Sequence, residues 1–216
     1  MARPKKKDDG CGQPQMSKQA CILVAAQAVF LESGYAAASM DAVASRANVS
    51  KATIYAHFEN KRALFEAMIR QRCERIFERT RLPDSYASAF DAIHEIASNF
   101  LNLIMAPEAL NLHRVVISEA ARLPEVGEAF YSVGPVMARA KLEEMFADLS
   151  SRGLMSIPEG DEPLVTDLFI GMLKGDMHLR AVLQLPPKPG MSIERVATAT
   201  AEMLTIRYPA KLSQKA

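Results

Sequence analysis

The chain is expected to be all-α, with an N-terminal three-helix helix-turn-helix unit followed by a larger helical bundle. Two observations carry this. Apolar residues recur at three- and four-residue spacing through most of the chain, while the period-two, β-branched alternation of strands is missing throughout. Residues 39–61, SMDAVASRANVSKATIYAHFENK, read as two short helices around a tight turn.

Taken in order, residues 1–16 mix Lys, Asp, Gly and Pro without apolar periodicity and form an arm. Its Arg3, Lys5, Lys6 and Lys7 serve either to line phosphates or a minor groove, or simply as a solubilising tail. A first helix over 17–33 carries the stripe Ile22, Ala26, Val29 and Phe30, and Gly34 supplies a left-handed stop with Tyr35 as its apolar partner. Ser39 caps the next helix and Asp41 lies in its first turn, where its charge opposes the helix dipole. Asn48 tolerates the left-handed backbone that ends it, Val49 plugs the angle, and Ser50 caps a third helix over 51–57. Ile54 and Phe58 point into the core, so the remaining residues of that two-turn helix face outward. A long helix begins at Lys61 and runs to about Arg81, with Leu64, Phe65, Met68, Ile69 and Ile76 inward and Pro83 ending it.

Further helices are expected over 84–105, 108–121, 125–132, 136–151, 162–184 and 192–207, separated by Pro107, Pro124, Gly134-Pro135, Gly153, the stretch 158–163 and the Pro186–Gly190 run. This gives an arm (1–16), a helix-turn-helix domain (17–65) and a second domain (66–216).

Composition narrows the class. The 216 residues, 49% hydrophobic and 24% charged, suit an ordinary globular protein. No run of eighteen apolar residues suggests a membrane span. Cys11, Cys21 and Cys73 lack metal-ligand spacing, which fits a reducing cytoplasm; a thiol sensor is the alternative. Charge is uneven: residues 1–81 hold 14 basic and 8 acidic side chains, and the remainder 12 and 17. A basic first half points to a polyanion partner. No Gly-rich phosphate loop, GxSxG or metal constellation is present, so no enzyme, cofactor or metal is expected.

A polar, outward-facing two-turn helix after a capped turn is the form of a recognition helix that meets double-stranded DNA. The candidate DNA-binding residues are Ser39, Ser50, Lys51, Ala52, Thr53, Tyr55, Ala56, His57 and Lys61. Ser39, Lys51, Tyr55, His57 and Lys61 are assigned to phosphates, and Ala52, Thr53 and Ala56 to bases. Two alanines offer only methyl contacts, so specificity leans on thymine methyls and DNA shape.

Ala28-Val29-Phe30, Gly34-Tyr35, Ser39-Met40, Val43-Ala44, Ala47, Val49-Ser50-Lys51, Thr53-Ile54-Tyr55, His57-Phe58, Lys61 and Leu64-Phe65 together resemble the DNA-binding domain of TetR/AcrR-type transcriptional regulators over about residues 17–65. A weaker likeness, at Arg114–Ala120, Leu123–Glu125 and Phe130-Tyr131, is to the ligand-binding half of one subset. The resemblance implies a homodimer joined through the last two long helices, released from a palindromic operator by a small hydrophobic or amphipathic effector. Leu164, Leu168, Gly171, Met172, Gly175, Leu179, Val196, Thr200 and Leu204 are the candidate dimer residues, with Gly171 and Gly175 permitting close helix approach; an internal core face is the other reading. Phe100, Leu103, Met105, His113, Val116, Phe130 and Met137 either line a ligand cavity or are plain core. An architectural DNA-binding protein without an effector is the competing class.

Overall fold

The computed structural model describes residues 17–79, 86 and 88–210, and these contain ten helices and no strand. The arm, with Arg3, Lys5, Lys6, Lys7 and Cys11, lies outside the described residues, as do Pro83 and the Ile76 side chain.

Helix α1 (Lys18–Ala37) is capped by Ser17, whose hydroxyl accepts from the Ala20 amide at 3.2 Å. Its regular part ends at Gly34, where φ 76° and ψ 171° put the backbone in a region that only glycine occupies without strain. Ser39 caps α2 (Met40–Ala47) through the Ala42 amide at 3.1 Å, and Asn48 ends it in the left-handed conformation at φ 53°. Ser50 caps α3 (Lys51–His57) through the Thr53 amide at 3.0 Å. Helix α4 (Lys61–Arg79) opens with Asn60 accepting from the Ala63 amide at 2.9 Å.

Phe30, Tyr35 and Phe65 bind these helices together. Phe65 meets both other rings edge-on at centroid distances of 5.1 Å, and Phe30 stacks on Tyr35 at 5.7 Å. Helix α1 is long and apolar enough to cross a bilayer, yet its Ile22, Leu23, Ala26, Val29 and Phe30 are buried here, so core packing accounts for its composition.

The second half consists of α5 (Ala89–Met105), α6 (Pro107–Ala120), α7 (Pro124–Ser151), α8 (Glu162–Leu173), α9 (Asp176–Val182) and α10 (Ile193–Arg207). One core joins α1 to α4 with Leu112 and Val116 of α6 and Val126, Ala129 and Val133 of α7. A second joins α5, α8, α10 and the later part of α7. The division expected between 65 and 66 falls inside α4, and the first core continues past it into α6 and α7.

Two helix breaks differ from expectation. Gly134-Pro135 does not interrupt α7, which runs 28 residues through the proline. A residue before proline is normally kept from helical geometry by its Cβ, and Gly134 has none. Buried Val133, Ala138 and Leu142 hold the helix to the cores on either side. Conversely, 162–184 is not one helix. It breaks at Gly175 (φ −51°, ψ −152°), so Gly171 and Gly175 are not stacked along a single helix face.

The dimer set also needs correction. Thr200 and Leu204 are buried on the face of α10 that packs within the second core, and Val196 and Met172 pack against the same core. Leu164, Leu168 and Gly171 do face outward on α8, as does Leu179 on α9. The outward apolar residues of α10 are instead Met203 and Ile206, 60% and 80% exposed.

Phe65→Ala is expected to lower the unfolding free energy by about 3–5 kcal/mol. Denaturant titration followed by circular dichroism measures it, and a loss under about 1 kcal/mol would show that the aromatic trio is not what joins α1 to α4.

Candidate nucleic-acid interface

Helix α3 presents two unlike faces because Ile54 and the following Phe58 are buried four residues apart. Lys51, Ala52, Tyr55, Ala56 and His57 are all exposed, and Thr53 is half-buried with its hydroxyl 2.8 Å from that of Ser50. A row of capped, outward residues on a helix of seven is thus held rigidly from beneath. Lys51 Nζ donates to Asp41 Oδ2 at 2.9 Å, a bridge from α3 to α2 that raises the lysine pKa by that hydrogen bond and the carboxylate charge. Both partners are exposed, so the pair yields readily to a phosphate. Ser39 uses an oxygen lone pair for capping, which leaves its hydroxyl hydrogen available, whereas the Ser50 hydroxyl also shares a hydrogen bond with that of Thr53.

Lys61 differs from the other expected phosphate contacts. Its ammonium donates to the carbonyls of Tyr35, Ala36 and Ala38 at 2.8, 3.1 and 3.1 Å, and lies 4.6 Å from the Tyr35 ring centroid. An ammonium has three donors, and here each faces a carbonyl. Lys61 therefore closes the chain between α1 and α2 rather than presenting free donors to DNA.

The same segment is gripped from the other side. Glu119 of α6 accepts from the Ala36 amide at 2.8 Å, and its second oxygen lies where a Cβ on Gly34 would stand. Gly34 is thus required by its backbone angle, and a side chain there would also displace the Glu119 carboxylate. Sequence reading found the glycine but not its partner, because 83 residues separate Ala36 from Glu119.

Behind the interface, two adjoining cavities of about 110 and 340 Å³ open among α4 to α9. Of the candidate cavity residues, Phe100, His113 and Phe130 border both, Leu103 the smaller and Val116 the larger. Met105 and Met137 border neither: Met105 ends α5, and Met137 packs against the first core. Residues missed from sequence include Lys174, His178 and Arg139, together with Arg72 and Cys73 of α4. They lie on elements far apart in the chain, so no spacing signals them.

His113 stacks on Phe130 at 5.8 Å and faces His178 at 5.5 Å. Burial, with His113 and Lys174 nearby, pushes the His178 pKa down to about 4; burial and Lys174 lower that of His113. Both imidazoles are accordingly neutral near pH 7. Burial pushes the Cys73 thiol up to about 11, the opposite of what a redox-sensing thiolate requires. Arg72 of α4 lies 3.8 Å from Glu108 of α6, and Arg114 of α6 donates to the carbonyls of Ala181 and Val182 at 3.0 and 3.2 Å. The cavity walls are thereby tied to the two helices that carry Lys61 and Glu119.

A helix-turn-helix head standing on a cavity-bearing helical bundle defines a class of DNA-binding regulators rather than of enzymes. Residues 22–68 match the family described as bacterial regulatory proteins, tetR family, and residues 91–210 match the AefR-like transcriptional repressor, C-terminal domain. The chain belongs to the TetR family of transcriptional regulators. It is 30% identical to a TetR-family regulator from Mesorhizobium loti MAFF303099, with TM-score 0.73 and coverage of 88% of this chain and 96% of that one. The Flavonoid-responsive Regulator FrrA is 28% identical, with TM-score 0.69 and the same two coverages of 88% and 96%. The transcriptional regulator UidR of Escherichia coli K12 is 33% identical over 105 residues, 49% of this chain and 53% of UidR. The chain thus spans about half the length of that relative.

Gly34→Ala should cost at least about 1–3 kcal/mol from backbone strain. Thermal unfolding beside a Ser33→Ala control reads this, and equal melting temperatures for the two variants would refute it. Acid should act through His178. The folded protein resists a proton that the unfolded chain takes up near its ordinary pKa of 6.5, so this group's contribution is intact above 6.5, declines as pH falls below it, and levels off below about 4. His178→Gln is expected to lose less melting temperature than the parent on going from about pH 7 to about pH 5; parallel curves would contradict this.

Proposed function

We propose that two copies of this chain pair through the outward faces of α8 and α10 and set their α3 helices into successive major grooves of a palindromic operator. The protein acts as a repressor in the reducing cytoplasm and leaves DNA when a small hydrophobic or amphipathic molecule fills the cavities. The observation that carries the reading is α3 itself, with Ile54 buried beneath exposed Lys51, Ala52, Tyr55, Ala56 and His57. Lys51, Tyr55, His57 and the Ser39 and Ser50 hydroxyls hold phosphates. Ala52, Thr53 and Ala56 approach the bases, where methyl contacts and groove shape set the preference.

Pairing is supported by apolar side chains in register on two neighbouring helices. Leu164 and Leu168, 52% and 48% exposed, stand one turn apart on α8, with Gly171 next along that face; Met203 and Ile206 stand likewise on α10. A monomer would leave this surface in water, and a two-fold axis covers it with the same surface of a second copy. The repressor reading follows the C-terminal family description. FasR of Mycolicibacterium smegmatis, 37% identical over 68 residues, is named an activator and marks the other direction. Ligand response is supported by the cavities and by the name of FrrA. The cavities also favour this reading over an architectural protein with no effector.

The test is selection of bound duplexes from a random pool, with the parent protein and with Ile206→Glu. The parent should return inverted repeats whose half-sites lie about 34 Å apart or a multiple of that. Ile206→Glu should sediment as a monomer and lose that enrichment. Recovery of single, unrepeated sites by the parent, or a variant that still dimerises and selects repeats, would overturn the arrangement.

A further inference from the structure

The charge lining the cavities is one-sided. Among the described residues, Lys174, Arg139 and Arg72 border them, with the imidazoles of His113 and His178, and no Asp or Glu does. Two of the cations are answered elsewhere: Arg139 pairs with Asp167 of α8, and Arg72 lies 3.8 Å from Glu108. Lys174 makes no ion pair among the described residues, although it borders both cavities. Its position as the residue after α8 accounts for some of this, since a cation is favoured at a helix C-terminus. That placement does not explain why the lysine shares a cavity wall with two imidazoles and a second cation.

Lys174 is exposed, yet partial desolvation of its ammonium, and after it the charge of Arg139, lowers its pKa; Lys174 adds to the lowering of both histidines, for which burial is the larger cause. Lys174 is thus a cation beside a second cation and two imidazoles that stay neutral near pH 7. A negative group placed there would be attracted by Lys174 and would offset the repulsion from Arg139. A neutral imidazole still carries one N–H donor, so His113 and His178 can each donate to an anion without first taking up a proton. Phe100, Leu103, Ile104 and Phe130 make up the apolar part of the wall.

We propose that the effector is an amphipathic anion: an aromatic or aliphatic acid whose apolar body lies among Phe100, Leu103 and Phe130 and whose charged group meets Lys174 beside His113 and His178. This rests on reading the cavities as the effector site and adds to it the ligand's charge. The anion also supplies a physical link to DNA release. It draws Lys174, at the end of α8, toward α6, the helix that carries both His113 and Glu119, and Glu119 holds the Ala36 amide.

The test uses the full-length protein and two fluorescent probes of nearly the same shape, anilinonaphthalene sulfonate and its uncharged parent phenylnaphthylamine. The parent protein should bind the sulfonate more tightly than the uncharged probe by on the order of tenfold, the usual worth of a hydrogen bond to a charged group. Lys174→Met should remove most of that preference while leaving the uncharged probe's Kd within about twofold. Lys188→Met, in the exposed loop before α10, is the control for general surface charge and should change neither. Equal binding of the two probes by the parent, no sulfonate binding, or an equal effect of Lys188→Met would each overturn the proposal. Operator affinity is read in parallel. A sulfonate that binds with this preference but does not loosen DNA leaves the anion site standing and removes the ligand-release reading. Release by both probes alike does the reverse.

Discussion

The short chain between α1 and α2 is the point on which the rest of the protein depends. The regular part of α1 ends at Gly34, and the residues that follow would leave backbone carbonyls without a partner if the chain simply turned away. The Lys61 ammonium takes three carbonyls, those of Tyr35, Ala36 and Ala38, and the Glu119 carboxylate takes the Ala36 amide. A cation on the carbonyls and an anion on the amide match the polarity of the backbone from both sides, and charged partners make such hydrogen bonds stronger than neutral ones. Lys61 belongs to α4 and Glu119 to α6, so neither helix can shift without disturbing the segment that leads into α2 and the reading helix α3.

The two helices that hold this segment also line the cavities. Helix α4 carries Lys61 at its start and Cys73 at the smaller cavity, about 18 Å apart at 1.5 Å per residue. Helix α6 carries His113 at the cavities and Glu119 about 9 Å further along. Each helix runs unbroken from the cavity wall to the clasp. Two arrangements of one clasp, favoured differently by effector and operator, suffice for reciprocal coupling of the two sites.

Where local chemistry decides, the amino-acid pattern was legible. Ser39 and Ser50 cap their helices as their side chains require, Asn48 takes the left-handed position, and the regular part of α1 ends at Gly34. The outward set on α3 followed from two buried residues four apart. Legibility failed where distant packing overrides local preference. Gly134-Pro135 reads as a stop, yet burial on both sides carries α7 through it. The face of α10 was assigned inversely because a helix with apolar residues on two sides does not reveal which side meets the chain's own core. Thr200 went inward and Ile206 outward.

The sequence by itself determined the helical class, the reading head and its caps, because caps, turns and helical periodicity act between residues a few positions apart. Only the tertiary structure decided that Lys61 holds backbone carbonyls instead of facing outward, that Glu119 meets Gly34, and that Lys174, His113, His178 and Arg139 share a cavity wall. Those pairings join residues tens of positions apart. They exist because the apolar faces of α4, α6 and α7 pack together, and which polar groups such packing brings face to face is not written in any one segment.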